Sequence, residues 1–488
     1  MNQTGPAPAQ TLAGNRQARW LLAGLLTISL VMAGITKGTY DSGDSLKHYM
    51  FARYAFQHPL NYLDSWAKPL FTLLASGPAQ GGFLGMKLFQ CAVVALSAWC
   101  AYVVARALRL PAPALAILFA YTMPDYFLIQ FSGLTEPLFG LVLVGAVALA
   151  MTGRPYWSAA LISWLPFVRS EGFILLGIWV VYLGWRRQWR ALPLLGLGYV
   201  VFSVGGGLIL GDFGWVFRRN PYSTISVYGH GEWSHFFMHL PGLLGWVLTA
   251  LALVGGGRML RDCTRPEHRA RPLFRAELLL IYGSITVFVL AHTIFWTAGL
   301  FNSFGITRVL DVTAPLFAVV ALNGLAGLMA LGHSAAAKRR IRIGVTVAVV
   351  AFVFTGARNA FRWRRDFMRP PDQLVVDDAA RWIRQMFGAG TRPLAYEIPY
   401  LAEVLDNDPF NPATHPTAPG GWAPQPDTMP VGTLLVWDDW FVRTESQLPL
   451  AQMQADPRFR QRWSGALPRN PSHPEHDTTR IIIFERVR

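Results

Sequence analysis

The sequence predicts an all-α polytopic membrane bundle of about eleven transmembrane helices, followed by a small C-terminal α/β extracytoplasmic domain. Three observations carry that reading. Hydrophobic residues make up 52% of the 488 and charged residues only 15%, where a soluble domain carries about a quarter charged residues. Apolar runs of roughly twenty residues, the length that crosses a bilayer, recur as far as about residue 357 and then stop. The formal net charge of +15 is concentrated in the short breaks between those runs, where Lys and Arg are opposed only by Asp262 and Glu267. Basic residues in short loops mark the cytoplasmic side. The charge is therefore a topology signal, and nucleic acid is not an expected partner.

The elements follow in order. Arg16 and Arg19 hold the N-terminus inside, and the first span covers 20–36. It is not a cleavable signal, because no small-residue site follows it and many more spans do. An outer loop, 37–80, comes next and carries "YDSGDSLKHYMFARYAFQHP". Span two (83–105) returns to Arg106 and Arg109. Spans three (112–131) and four (134–152) form a hairpin with the outer tip "MPDYFLIQFSGLTEP".

The run Trp157 to Trp185 is too long for one span and holds Arg169 and Glu171 at its middle. A charge at mid-bilayer costs roughly 2.5–3.5 kcal/mol on insertion scales. Two short helices with "RSEG" at an outer turn avoid that cost. They also keep the Arg-rich loop 258–275 on the cytoplasmic side. Span seven (191–210), an outer loop (211–240), span eight (241–257) and span nine (277–298) lead to the outer turn "LFNSFGITRVLD". Span ten (311–331) returns to Lys338–Arg342, and span eleven (343–357) exits.

The predicted domains are thus 1–357, multi-span, and 358–488, extracytoplasmic. In the latter "DDAARWIRQMF" reads as an amphipathic helix, "TLLVWDDWF" and "TRIIIFERV" as strands, and "NPATHPTAPGGWAPQP" as a loop. Cys91 and Cys100 fall on one predicted helix about 13 Å apart, too far for a disulfide, and Cys263 lies in a predicted cytoplasmic loop. No disulfide is expected, and no internal repeat is found.

This threading gathers the unusual ionisable groups on one face: Asp41, Asp44 and His48 in the first loop, Asp125 and Glu136 at the second tip, Arg169 and Glu171 at the third, Arg308 at the last. An ionisable residue at a membrane edge is a functional candidate by default. Each also has a structural alternative. Asp41 and Asp44 can cap a helix beginning near Ser42. Their spacing with His48, i, i+3, i+7, puts all three on one helical face. Glu136 ahead of Pro137 can offset a helix dipole, Asp125 can cap or turn, Arg169 and Glu171 can pair with each other, and Arg308 can anchor at headgroup level. The histidines in "HGEWSH" match no zinc spacing, and Asp438 and Asp439 read as strand-end or loop residues. A carboxylate able to act as general base and an arginine able to hold phosphate suit a lipid-phosphate donor whose tail lies in the bilayer. They also suit an ion-coupled transporter.

The stretches "SGDSLKHYMFARYAFQHPLNYLDSWAKPLF", "SGLTEPLF", "PFVRSEGFILL" and "GITRVLDVTAPLFAVVALNG" resemble, as an ordered set over about 20–330, the GT-C superfamily of integral-membrane glycosyltransferases. The likeness is greatest to the polyprenyl-phosphate-sugar-dependent, bacterial mannosyltransferase-like members. The resemblance implies a multi-span helical bundle, often with an outer α/β domain. It implies inverting transfer of one sugar, a mannose-like hexose favoured, from a polyprenyl-phosphate donor to a lipid, glycan or protein acceptor. It places the general base in the first outer loop, where Asp44 matches best; Ser45 stands where many relatives have Glu, which leaves open a share for Asp41. Glu136, with Asp125 as competitor, matches a second acidic position. Arg308, and more weakly Arg169, matches the arginine near the donor phosphate. Some members use a divalent cation, which Asp41 and Asp44 could hold; none is required. The implied site is a multi-pass inner (plasma) membrane protein, N-terminus cytoplasmic and C-terminus extracytoplasmic. A lipid-linked sugar flippase, which would show repeats and interrupted helices, and a non-catalytic assembly protein are the alternatives.

Overall fold

The computed structural model describes residues 8–219, 222, 224–332, 334–363, 369–388, 390–416, 423–469 and 477–488. Part of the expected loop "NPATHPTAPGGWAPQP", 417–422, lies outside the described residues. The chain forms two compact units. One comprises Met1–Ile35, Tyr62–Leu74 and Lys87–Trp363; the other comprises Thr36–Asn61, Ala75–Met86 and Arg364–Arg488.

Among the described residues five helical runs are long and apolar enough to cross a membrane: Asn15–Ile35, Gly82–Ala107, Trp189–Leu210, Phe274–Thr297 and Thr307–Ala330. Helices His235–Leu244 and Trp246–Thr264 meet at 118° and make a sixth if counted as one span. Glu136–Met151 and Gly172–Trp185 are apolar but shorter. Several expected spans are broken for local reasons. The run 112–131 divides into Leu115–Thr122 and Pro124–Ile129 because Pro124 offers no N–H and forces Met123 into an extended conformation (ψ 127°). The run from Trp157 to Trp185 folds as Pro155–Ile162, a short 3₁₀ turn Leu165–Phe167 and Gly172–Trp185, with Arg169, Ser170 and Glu171 in the turn between.

In the first unit, helix Trp246–Thr264 crosses Ala314–Ala330 with almost no separation. A methyl group at Gly324 would stand 1.9 Å from the Leu251 carbonyl oxygen. Small residues let apolar helices meet in this way where no hydrophobic force drives them together in lipid.

The second unit holds a four-stranded sheet, β1 (Leu394–Ala395), β2 (Leu434–Asp438), β3 (Phe459–Pro468) and β4 (Thr478–Arg486), in the order β1-β2-β4-β3. β1 and β2 are parallel and the other pairs antiparallel, with Val436 opposite Ile483. Every residue of β2 is buried, so it reads as a continuous apolar run rather than an alternation. Helix Pro371–Phe387 covers the sheet. Pro371 and Asp372 suit its first turn, its buried stripe is Val375, Val376, Ala379, Ala380 and Ile383, and Gly388 ends it.

The first-loop helix, Asp44–Arg53, belongs to this unit and not to the helical bundle. Arg53 pairs with Asp406 at 2.5 Å and Glu403 at 3.7 Å, His58 Nε2 lies 2.7 Å from Asp408, and Gln373 donates to Thr39 at 2.7 Å. Phe410 packs its ring 4.8 Å from that of Phe51.

Candidate functional site

In the first unit three segments distant in sequence bring charge together in a dry environment. Glu136 opens its helix, with Pro137 next, and is 1% exposed. Its Oε1 lies 2.9 Å from Arg169 Nη1 and 3.6 Å from Arg308 Nε. Arg169 Nη2 lies 2.9 Å from Glu171 Oε1, and its Nη1 donates to Thr135 Oγ1 at 3.3 Å. His292, on the helical run Phe274–Thr297, sets Nε2 3.7 Å from Glu171 Oε1. Thus Glu136, Arg169 and Arg308, three residues singled out in the sequence, do meet.

Lys68 completes the cluster and was missed. It is 4% exposed and donates to the Tyr222 hydroxyl at 2.6 Å, the Ser65 carbonyl at 3.2 Å and Ser170 Oγ at 3.5 Å. Among the described residues no carboxylate lies within ion-pair distance of its Nζ. Its backbone has φ +68° immediately before Pro69, a conformation that costs about 1–3 kcal/mol and persists only where the surroundings impose it. The signal was present as a lysine flanked by "WA" and "PLF" in an apolar context.

Three cations, Lys68, Arg169 and Arg308, gather around Glu136 and Glu171, and Asp311 and Asp125 add carboxylates beside Arg308 and Glu136. Burial pushes the Glu171 carboxyl up, but Arg169, His292 and Lys68 beside it prevail and hold it at about 2. Glu136 Oε2 has no hydrogen-bond partner among the described residues. The guanidinium and ammonium donors of this buried group suit phosphate oxygens.

Asp311, 2% exposed, lies on the same 3₁₀ turn, Thr307–Thr313, that carries Arg308, and Asp125, Glu136 and Arg308 act on its carboxyl. Asp311 and His292 were not singled out in the sequence. The first closes an outer turn and the second sits inside an apolar run, so neither stood out. His235 and His239 are engaged by backbone carbonyls, at 2.7 Å each. Among the described residues no group of three His, Cys, Asp or Glu is placed to hold a metal ion.

In the second unit the helix begins at Asp44, so Asp41 precedes it instead of sharing its face. Asp41 Oδ1 accepts the backbone N–H groups of Gly43 and Ser45, at 3.0 Å each, which satisfies two of the orphan donors at the helix start. Asp44 is partly exposed in the first turn, where the helix dipole favours a carboxylate, and His48 lies one turn on and is 6% exposed.

No protein-family model matches the chain, and no curated protein sequence matches it. Solved structures do. The crystal structure of ArnT from Cupriavidus metallidurans bound to undecaprenyl phosphate superposes with a TM-score of 0.58 at 13% identity, covering 80% of this chain and 84% of that one. The same protein in the apo state gives 0.56 at 15% identity, covering 79% of this chain and 84% of that one. At this identity the likeness establishes fold alone, and the chain has the fold of those ArnT structures.

Proposed function

We propose that this chain is a multi-pass inner-membrane glycosyltransferase of GT-C type. It moves a single sugar, a mannose-like hexose, from a polyprenyl-phosphate donor to a lipid, glycan or protein acceptor on the extracytoplasmic face. The observation that carries this reading is the buried Lys68–Arg169–Arg308 group around Glu136, in a fold whose solved example is described as bound to undecaprenyl phosphate. The guanidinium and ammonium donors of that group suit a lipid phosphate.

In the reaction Arg308, Arg169 and Lys68 hold the donor phosphate. The acceptor hydroxyl attacks the anomeric carbon from the side opposite the phosphate, and the sugar inverts. The bond from the anomeric carbon to the phosphate oxygen breaks, and that oxygen leaves with its electron pair, stabilised by the three cations. Asp44 takes the acceptor's proton. Asp41 is less suited to that role because its Oδ1 already receives two backbone N–H groups. His48 and Asp125 are assigned to substrate binding. The N-terminus is cytoplasmic and the C-terminus extracytoplasmic.

The test is transfer of radiolabelled sugar from polyprenyl-phosphate donors in membranes. Asp44→Asn is expected to lower the rate at least ~10²-fold, a usual general-base contribution, with Asp41→Asn much milder. Asp44→Asn transferring at the wild-type rate would overturn the mechanism. The 118° break at Gly245 is a feature that a lipid-linked sugar flippase would share. That reading requires movement of lipid-linked sugar across vesicles with no transfer by the wild type.

A further inference from the structure

Asp438, at the end of β2, has a geometry that a plain strand-end residue does not need. It is 2% exposed, and its carboxylate receives three successive backbone N–H groups: Oδ1 those of Trp440 at 3.0 Å and Phe441 at 2.6 Å, Oδ2 that of Val442 at 3.2 Å. This cap winds Phe441–Glu445 into a single π-helical turn. The first residue of that turn, Phe441, lays its ring against Gly43. A methyl group at Gly43 would stand 3.2 Å from two carbons of the ring. Gly43 is the residue before Asp44, and its carbonyl accepts the first bonds of the helix, from Leu46 N at 3.0 Å and Lys47 N at 2.9 Å. Lys47 Nζ sits 5.5 Å from the centre of the same ring.

We infer that Asp438 is a positioning residue for the candidate base Asp44: its cap fixes Phe441, and Phe441 fixes Gly43 and so the first turn of the helix that bears Asp44. The inference rests on the proposed function and assigns the C-terminal domain a part in that reaction. It explains why the first loop folds with the tail. Both Asp41, from within the loop, and Asp438, from the tail, act on Gly43, the first through its N–H and the second through the Phe441 ring.

Asp438 titrates in a charged neighbourhood. Glu397 faces it and carries Lys47 at 4.0 Å; Glu445 holds the same lysine at 3.5 Å; Asp439 pairs with Arg469 at 3.0 Å; Arg443 lies on the capped turn; across β4 the partner is Ile481. Burial pushes the Asp438 carboxyl up to about 7, against the pull of the three N–H groups. Proton uptake as pH falls through about 7 removes the charge that the cap uses, so turnover should fall on that limb.

The experiment measures kcat, donor KM and the pH profile of sugar transfer for purified full-length wild type, Asp44→Asn, Asp438→Asn and Gly43→Ala, each checked for a wild-type unfolding temperature. Asp438→Asn cannot lose a proton-dependent charge and cannot accept all three bonds. It is expected to lower kcat about tenfold with donor KM unchanged, and to lose the limb near pH 7. Gly43→Ala, with Asp438 intact, should lower kcat by a similar factor and keep the limb, since a displacement of order 1 Å costs up to about 10²-fold. If Asp44→Asn abolishes transfer while Asp438→Asn and Gly43→Ala keep wild-type kcat and the same limb, the positioning role is overturned and the proposed function stands. If Asp44→Asn transfers normally, both fall together.

Discussion

Two ionic clusters built on buried carboxylates lie in the helical bundle, and they differ in how completely those carboxylates are engaged. The first is the Glu136–Arg169–Arg308–Lys68 group. The second joins Asp262, His268, Arg271 and Glu277. There Arg271 reaches Asp262 at 2.7 Å and Glu277 at 3.7 Å, His268 takes the other Asp262 oxygen, and Asn323 donates to Glu277 at 3.3 Å. All four carboxylate oxygens are engaged, and Tyr282 accepts a further bond from Asn323 at 2.8 Å. The two clusters sit at opposite ends of one helical run, for Glu277 and His292 are separated by roughly 22 Å of helix rise. In the first, by contrast, Lys68 has no carboxylate partner among the described residues, and Glu136 Oε2 has no hydrogen-bond partner among them. Burying charge is not in itself a mark of function. A closed cluster is a structural tie, whereas one whose lysine pairs with no carboxylate is suited to an anionic ligand.

The largest expected effect tests the open cluster. Lys68→Met should cut sugar transfer about 10²–10³-fold, as loss of one preorganised charge-stabilising donor does, without lowering the unfolding temperature. A marked loss of stability with normal turnover would make Lys68 structural and erase the contrast. Glu136→Gln comes next. It makes the site more cationic, so donor KM should stay level or fall, while kcat drops about tenfold because Arg169 and Arg308 lose their common anchor. A raised donor KM with unchanged kcat would contradict the anchoring role.

The closed cluster should answer in the opposite sense. Asp262→Ala leaves His268 without its carboxylate and Arg271 with only the longer Glu277 contact, and should destabilise the fold by about 1–3 kcal/mol, read as an earlier unfolding midpoint, with kcat of the folded enzyme unchanged. The smallest effect is a pH dependence. Glu171 is held at about 2 in the fold, below the ordinary 4.5, so its ionised form stabilises the native state fully above 4.5. That contribution fades as pH falls from 4.5 through 2. Unfolding temperatures of wild type and Glu171→Gln should converge across that interval; parallel curves would show that Arg169, His292 and Lys68 do not hold the carboxylate.

Much of the site was legible because charge is rare in an apolar chain. Glu136, Arg169 and Arg308 stood out for that reason, and the structure joins them through one oxygen. Lys68 did not, since its apolar flanks hint at burial, which only the fold shows. The i, i+3, i+7 spacing of Asp41, Asp44 and His48 suggested one face, but the helix starts at Asp44 and leaves Asp41 to cap it. A shift of a few residues at a helix start is beyond what periodicity resolves, because the boundary is set by which side chain reaches the orphan N–H groups.

The amino-acid sequence by itself determined the helical membrane class, the sheet-bearing tail and most of the charged residues at the site. Each follows from local quantities: the length of an apolar run, the period of burial, the sign of charge in a loop. Only the tertiary structure decided that the first loop folds with the tail, through pairs such as Arg53–Asp406 and His58–Asp408 separated by some 350 positions, and that Lys68 lies buried without a carboxylate. Those outcomes depend on which distant segments exclude water from each other, and no window along the chain contains both partners.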